Sequence, residues 1–277
     1  MTHTPADADL AGAAQEQCRV WGLRQDGAAH DGAVALTLPV RTSEGAAAVL
    51  KVSSPTAGSG QAHLALRRWG GDGAVRLLRA DPHRHAVLLE RLRPRTLDDL
   101  PDAAACEVVA GLYRRLHVAP LPQVPSLTTV VAQWAHQVDE RPRNAALPRR
   151  LIEQAVASTR ELAVETATTD VLLHGDLHHG SVLAADREPW LAISPRPVNG
   201  DRHAELAPML LHRLDDLGGR LRDGIRARFY ALVDAAGLDE DLARAWTFIQ
   251  VVHAATRAID DGADLTRYVA IAKALQD

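Results

Sequence analysis

The strongest constraint in this chain is a non-helical island, residues 171–193, set among long stretches of helical periodicity. It opens VLLHGDLHHGSVL, with one apolar run leading into His-Gly-Asp and another leading out. Asp176 is thereby placed on a loop between two buried strands, a common way to aim a carboxylate at a ligand. Gly175 permits the tight backbone path that such a loop needs.

The first third of the chain is β-rich. Residues 33–40 (AVALTLPV) and 47–53 (AAVLKVS), separated by Ser43-Glu44-Gly45, predict a hairpin. A helix is expected over residues 61–69, closed by Gly70-Gly71, then two apolar strands over 75–80 and 86–92. After Pro94 the period changes. Thr96 is suited to cap a helix that carries Asp98 and Asp99 in its first turn and runs to about residue 117. Further helical patterns cover 127–138, 147–164, 203–217, 222–236, 238–260 and 265–275. The expected architecture is α+β and two-lobed. It has a small β-rich N-lobe (residues 1–94), a larger helical C-lobe (95–277) and a hinge near 89–94.

Composition narrows the function classes. The formal net charge is -4, so nothing favours nucleic acid as a partner. No apolar run approaches the roughly 18 residues of a membrane span, and the opening MTHTPADADLAGAAQEQ has neither the basic nor the apolar region of a signal peptide. Cys18 and Cys106 match no metal or redox motif and read as buried thiols of a cytoplasmic protein. Lys51 and Lys273 are the chain's two lysines, and a lysine inside an apolar strand needs a reason.

The segment HGDLHHGSVLAADREPWLAISPRPVNGD resembles the catalytic region of aminoglycoside phosphotransferases, most closely streptomycin 6-kinases and hydroxyurea phosphotransferases. The likeness extends through WGLRQDGAAHDGAVALTLPVRTSEGAAAVLKV, LALRRWGGDGAVRLLRAD, LLERLRP, LHVAPLPQVPSL and ELAPMLLHRLDDL, from about Cys18 to about Thr256. It implies a protein-kinase-like fold and ATP-dependent transfer to a small-molecule hydroxyl, with roles in antibiotic resistance or secondary metabolism. By that resemblance Lys51 would hold the nucleotide phosphates, Glu90 would border the base, and Arg196 would contact phosphate or pair with an acid. Asp176 would accept or orient the acceptor's proton, and His174 would brace its loop.

Three positions depart from the family pattern. Ser181 stands where the pattern has a metal-binding Asn, Ser194 where it has a metal-binding Asp, and Ala62 where a Glu would pair with Lys51. Ser181 is the milder change, because a hydroxyl can still coordinate Mg²⁺. Ser194 removes a full negative charge from a site that must attract a divalent cation. The sequence therefore points to a degenerate, pseudokinase-like protein that binds a nucleotide or another small molecule. ATP is the implied cofactor, Mg²⁺ is disfavoured, and a protein partner is a further expectation. The competing readings are an active O-phosphotransferase on an aminoglycoside-like alcohol and an acid–base enzyme built on Asp176. His178 and His179 beside Asp176 fit no standard zinc spacing. His83 and His85 read as a solvated turn. His203, Glu205 and His212 read as surface residues or a rebuilt pocket. Trp69, Trp134, Trp190 and Trp246 read as packing residues.

Overall fold

The computed structural model describes residues 10–32, 34–55, 60–140, 147–165, 170–260 and 262–276. In chain order the elements are α1 (Leu10–Trp21), β1 (Arg24–Gln25), β2 (His30–Asp31), β3 (Ala35–Arg41), β4 (Ala47–Ser53), α2 (Ala62–Trp69), β5 (Leu77–Asp81) and β6 (Ala86–Glu90). They continue with α3 (Asp102–Leu116), α4 (Leu127–Glu140), α5 (Arg149–Glu165), β7 (Val171–Leu173), β8 (Val182–Ala184), β9 (Trp190–Ala192) and β10 (Val198–Gly200). The last are α6 (Ala207–Leu211), α7 (Leu221–Ala236), α8 (Glu240–Asp260) and α9 (Thr266–Ala274). They fall into two compact units. One holds the described residues up to Arg95 together with Leu183–Arg196, and the other holds Thr96–Val182 and the chain from Pro197 onward.

The first unit is built on an antiparallel sheet in the order β1-β3-β4-β6-β5, with β2 also paired to β3. Alternation along β3 and β4 puts Leu36, Leu38, Val40, Ala48, Leu50 and Val52 on one buried face. Helix α1, which the sequence reading did not expect, packs there through Ala14, Leu10, Cys18 and Trp21. Those residues form a helical stripe, but alanines and polar residues dilute it. The β8–β9 hairpin joins the same unit. Val75 N–H donates to the Ala192 carbonyl at 2.9 Å, and Ala192 N–H donates to Gly73 at 2.9 Å. Arg93 N–H donates to Ala184 at 3.0 Å, and Ala184 N–H to Arg95 at 2.9 Å. The expected division by residue order, 1–94 and 95–277, thus differs from these units, because backbone bonds tie residues 183–196 to the earlier strands.

In the second unit α3 lies against α7, and α8 lies against α5 and α9. Strand β7 pairs antiparallel with β10, Leu173 opposite Val198. Trp246, Ile249, Val251 and Val252 of α8 are buried. Two expected helices are shorter than their patterns. Thr96 caps a single 3-10 turn, Leu97–Asp99, and α3 starts only after Pro101. The pattern over 203–217 breaks into a 3-10 turn (Arg202–Glu205), α6, and another 3-10 turn (Asp215–Arg220). Pro208 has no N–H to offer the Ala204 carbonyl, which accepts from the Gln250 side chain instead, and Arg213 turns the chain at φ 52°. Among the described residues no helix is long and apolar enough to cross a membrane.

Candidate functional site

Strand β7 delivers the chain into the loop that carries Asp176. Gly175 sits at φ 76°, a left-handed conformation that a side chain would strain. The two N–H groups entering the loop are taken by one buried carboxylate. Glu205 accepts from His174 N–H at 3.0 Å and from Gly175 N–H at 2.7 Å. Burial pushes the Glu205 carboxyl up, but the His117 ring 3.5 Å away, the nearby His174 ring and the Gly175 bond outweigh it and hold it below the usual range. Tyr113 anchors the backbone of Glu205, its hydroxyl donating to the carbonyl at 2.8 Å.

The Asp176 backbone is pinned on both sides. Its N–H donates to His174 Nδ1 at 3.3 Å, and its carbonyl accepts from Ser181 Oγ at 2.8 Å. His174 is fully buried, and Leu177 anchors the loop's floor. The Asp176 side chain is 32% exposed, so the loop backbone is fixed while part of the carboxylate reaches solvent. His178 accepts from Gly180 N–H at its Nδ1 (3.1 Å), which leaves Nε2 as the proton-bearing nitrogen of the neutral ring. That Nε2 lies 4.0 Å from Asp176 Oδ1. The other face of the His178 ring stacks on His212, with centroids 3.4 Å apart. Burial and the Arg228 charge hold His212 below its ordinary range, against the opposing pull of Asp176 and Asp98.

His179 turns the other way. It is fully buried, with Nε2 3.6 Å from Asp102 Oδ1, and Asp102 is bound through its second oxygen to Arg228 at 2.7 Å. Burial, with Arg228 and Arg213 nearby, pushes His179 down to about 4. The loop histidines therefore do not converge on one point, and among the described residues no group of three or more His, Cys, Asp or Glu is placed to hold a metal. Of the expected surface residues, His203 pairs with Asp201 at 2.5 Å and Glu205 is the buried brace.

The other expected residues lie in the first unit. Lys51, on β4, donates to Ser194 Oγ at 2.9 Å across 143 positions of sequence. Both line a pocket with Ala62 and His63 of α2 and with Asp81 and His85. Ala62 thus stands in the pocket where a helix carboxylate was expected. Sequence reasoning missed Asp81. The register could have found it, since Ala80 and Lys51 both pair with Val87 and Asp81 follows. Asp81 is committed to Arg84, whose N–H it accepts at 3.2 Å. Glu90 does not line this pocket. Its carboxylate accepts from Arg187 Nη2 at 2.7 Å and from Arg76 N–H at 2.8 Å, bracing the β8–β9 hairpin. Arg196 is exposed at the end of the hairpin segment.

Neither metal position of the family pattern carries a carboxylate here. Ser194 keeps a left-handed backbone, φ 57°, which Asp and Asn tolerate better than Ser, but it carries no charge and its oxygen is bonded to a lysine ammonium. Ser181 lies inside the Asp176 loop. It is only 4% exposed, accepting from His178 N–H at 2.8 Å and donating to the Asp176 carbonyl. Its hydroxyl thus makes one accepted and one donated bond within the loop.

Comparison with known proteins sets this geometry in context. The model of the aminoglycoside/hydroxyurea antibiotic resistance kinase family matches residues 20–262. Streptomycin 6-kinase of Streptomyces glaucescens is 40% identical over 263 residues, covering 92% of this chain and 85% of that protein. Hydroxyurea phosphotransferase of Kitasatospora aureofaciens is 40% identical over 277 residues, covering 96% and 78%. Among solved structures, a thermostable aminoglycoside phosphotransferase mutant in ternary complex with ADP and hygromycin B has a TM-score of 0.64 at 15% identity, covering 95% of this chain and 96% of that one. Choline kinase of Streptococcus pneumoniae has a TM-score of 0.63 at 13% identity, covering 97% and 99%. These structural likenesses show a two-lobed, protein-kinase-like α+β fold. The match over most of its length places the chain in the aminoglycoside/hydroxyurea antibiotic resistance kinase family.

Proposed function

We propose that this chain is a degenerate member of its kinase family, a small-molecule or nucleotide-binding protein that has lost Mg²⁺-supported phosphoryl transfer. The observation that carries the reading is the state of the two serines. Ser194 Oγ is bonded to Lys51, and Ser181 Oγ is bonded within the Asp176 loop. A divalent cation needs hard oxygens, commonly with one or two carboxylates among them, and neither position supplies one. Phosphoryl transfer depends chiefly on positioning and charge neutralisation, so losing these groups removes orders of magnitude in rate. Lys51 and Asp176 persist in this reading as ligand-binding groups, Lys51 for an anion and Asp176 for a hydroxyl or a cation. His174 positions the Asp176 loop.

One observation favours a second reading, an active ATP-dependent O-phosphotransferase on an aminoglycoside-like alcohol. Identity to proteins named streptomycin 6-kinase and hydroxyurea phosphotransferase is 40% over nearly the whole chain. The experiment that separates the readings is calorimetric titration of ATP with and without Mg²⁺, on the wild type and on the Ser181→Asn/Ser194→Asp double variant. The degenerate reading expects wild-type binding that is absent or indifferent to Mg²⁺, and Mg²⁺-dependent binding regained in the double variant. Tight wild-type binding that requires Mg²⁺ would return the kinase reading.

A further inference from the structure

The surface of the first unit carries a feature that the family chemistry does not use. Strand β5 ends the sheet order, so its outer backbone edge has no strand beside it among the described residues. A bulge interrupts it. Leu77 pairs with Leu89 and Arg79 with Leu88, which leaves Leu78 as the extra residue. Leu78 is turned outward and is 47% exposed. A groove runs between this strand and α2, lined by Leu66, Arg67, Arg76, Leu77, Leu78 and Arg79 among others.

The charge of the groove is one-sided. Arg67 comes from α2, Arg76 precedes β5 and Arg79 lies on it. The Arg76 side chain crosses Gly71 so closely that a Cβ there would lie 2.6 Å from Arg76 Cγ. The Arg79 guanidinium sits 5.0 Å over the Trp21 ring. Nearby acids are committed elsewhere, Asp81 to Arg84 and Glu90 to Arg187. Among the described residues no carboxylate forms an ion pair with the Arg67 or Arg76 guanidinium, and Glu90 meets Arg76 through its backbone N–H. On a chain whose net charge is -4, three arginines around exposed leucine form a local inversion of sign.

Bulges and basic residues also serve to protect sheet edges from pairing. Protection alone does not account for Leu78, because a bulge that re-aims a leucine into solvent adds apolar surface where a blocked edge should lose it. We propose that the groove between α2 and β5 docks a short acidic segment of a partner protein. An apolar residue of that segment would seat on Leu77 and Leu78, and its carboxylates would meet Arg67 and Arg76. Charge complementarity selects the partner's chemistry, and the apolar contact separates it from a simple polyanion. The inference is independent of whether phosphoryl transfer survives, since it uses none of Lys51, Asp176 or the two serines.

The test uses the full chain and a fluorescein-labelled Glu-Glu-Leu-Glu-Glu-Leu peptide, followed by fluorescence anisotropy. Saturable binding is expected. It should weaken with salt, weaken about 10-fold or more in Arg67→Glu/Arg76→Glu, and weaken again when Ser replaces Leu in the peptide. Leu78→Ser, at an exposed position, supplies a second variant should the charge reversal impair folding. It should reduce binding of the leucine peptide and leave the weaker serine peptide unaffected. Absent or variant-insensitive binding would overturn the proposal. So would inorganic polyphosphate binding as tightly as the peptide, which would mean a general polyanion surface. Self-association of the protein abolished by the same double variant would give the groove to a second copy of this chain.

Discussion

Glu205→Gln keeps the shape of a buried side chain while removing its charge, and so isolates what that charge does for the Asp176 loop. The carboxylate now accepts from two backbone donors, at 3.0 Å from His174 and 2.7 Å from Gly175, one on each oxygen. Glutamine offers one oxygen, so one bond falls from charged to neutral strength and the other becomes an N–H facing an amide NH₂. The first change costs about 1 kcal/mol and the second about 2 kcal/mol, together roughly 3 kcal/mol. Urea unfolding followed by tryptophan fluorescence should show that gap at neutral pH. The carboxyl is held low in the folded protein, so its contribution is present above the unfolded value of about 4.3 and is lost as pH falls through the folded value. The gap should therefore hold steady from neutral pH to about pH 5 and shrink in stronger acid. A gap under about 1 kcal/mol, or one that does not shrink in acid, would refute the claim that the charge of Glu205 braces the loop.

Two further outcomes follow from the buried groups of the second unit and from Cys18. His179 is held down to about 4, so the unfolded chain takes up a proton in acid that the folded protein refuses. The stability carried by neutral His179 is full above about 6.5 and is lost as pH falls towards 4, by up to about 3 kcal/mol. His179→Leu should flatten that part of the stability–pH profile, and identical slopes in variant and wild type would contradict the placement of this ring. Burial, with Asp102 adding to it, pushes the Cys106 thiol up to about 12, whereas half-buried Cys18 is raised by burial alone. A thiol reagent at mildly alkaline pH should modify Cys18 in the native protein and Cys106 only after unfolding in urea. Equal rates at the two sites would sink this assignment.

Much of the fold was legible because its signals are local. The β3–β4 hairpin follows from alternation around a short turn, α2 from its period and its closing glycine, and the Asp176 loop from a carboxylate between apolar runs. Lys51 announced itself by composition, in a chain whose basic residues, Lys273 apart, are otherwise arginine. What escaped depends on partners distant in sequence. Glu205 reads as one acid on an amphipathic stretch, and only the fold brings it to N–H groups about thirty positions earlier. Glu90 reads as a hinge acid until Arg187 folds back onto it from 97 positions away. The bonds of Ser181 to His178 N–H and the Asp176 carbonyl were not legible because they are a property of loop geometry. The break in the 203–217 pattern was signalled by Pro208, and its apolar period masked the signal.

The hairpin segment Leu183–Arg196 has a consequence for biosynthesis. The chain leaves the second unit at Leu183, completes the first, and returns at Pro197. On the ribosome, the strands up to Glu90 emerge long before Ala192, whose backbone satisfies Gly73 and Val75, and before Arg187, which binds Glu90, Gly71 and Ala74. Until those residues are made, the nascent unit carries unanswered backbone groups and a carboxylate without its arginine, each a cost of about 1–3 kcal/mol where buried. The amino-terminal unit must therefore wait for its last strands while all of Thr96–Val182 is translated. A ribosome that pauses between residues 95 and 183 would hold the chain where its β-sheet is most exposed to pairing with the wrong strand.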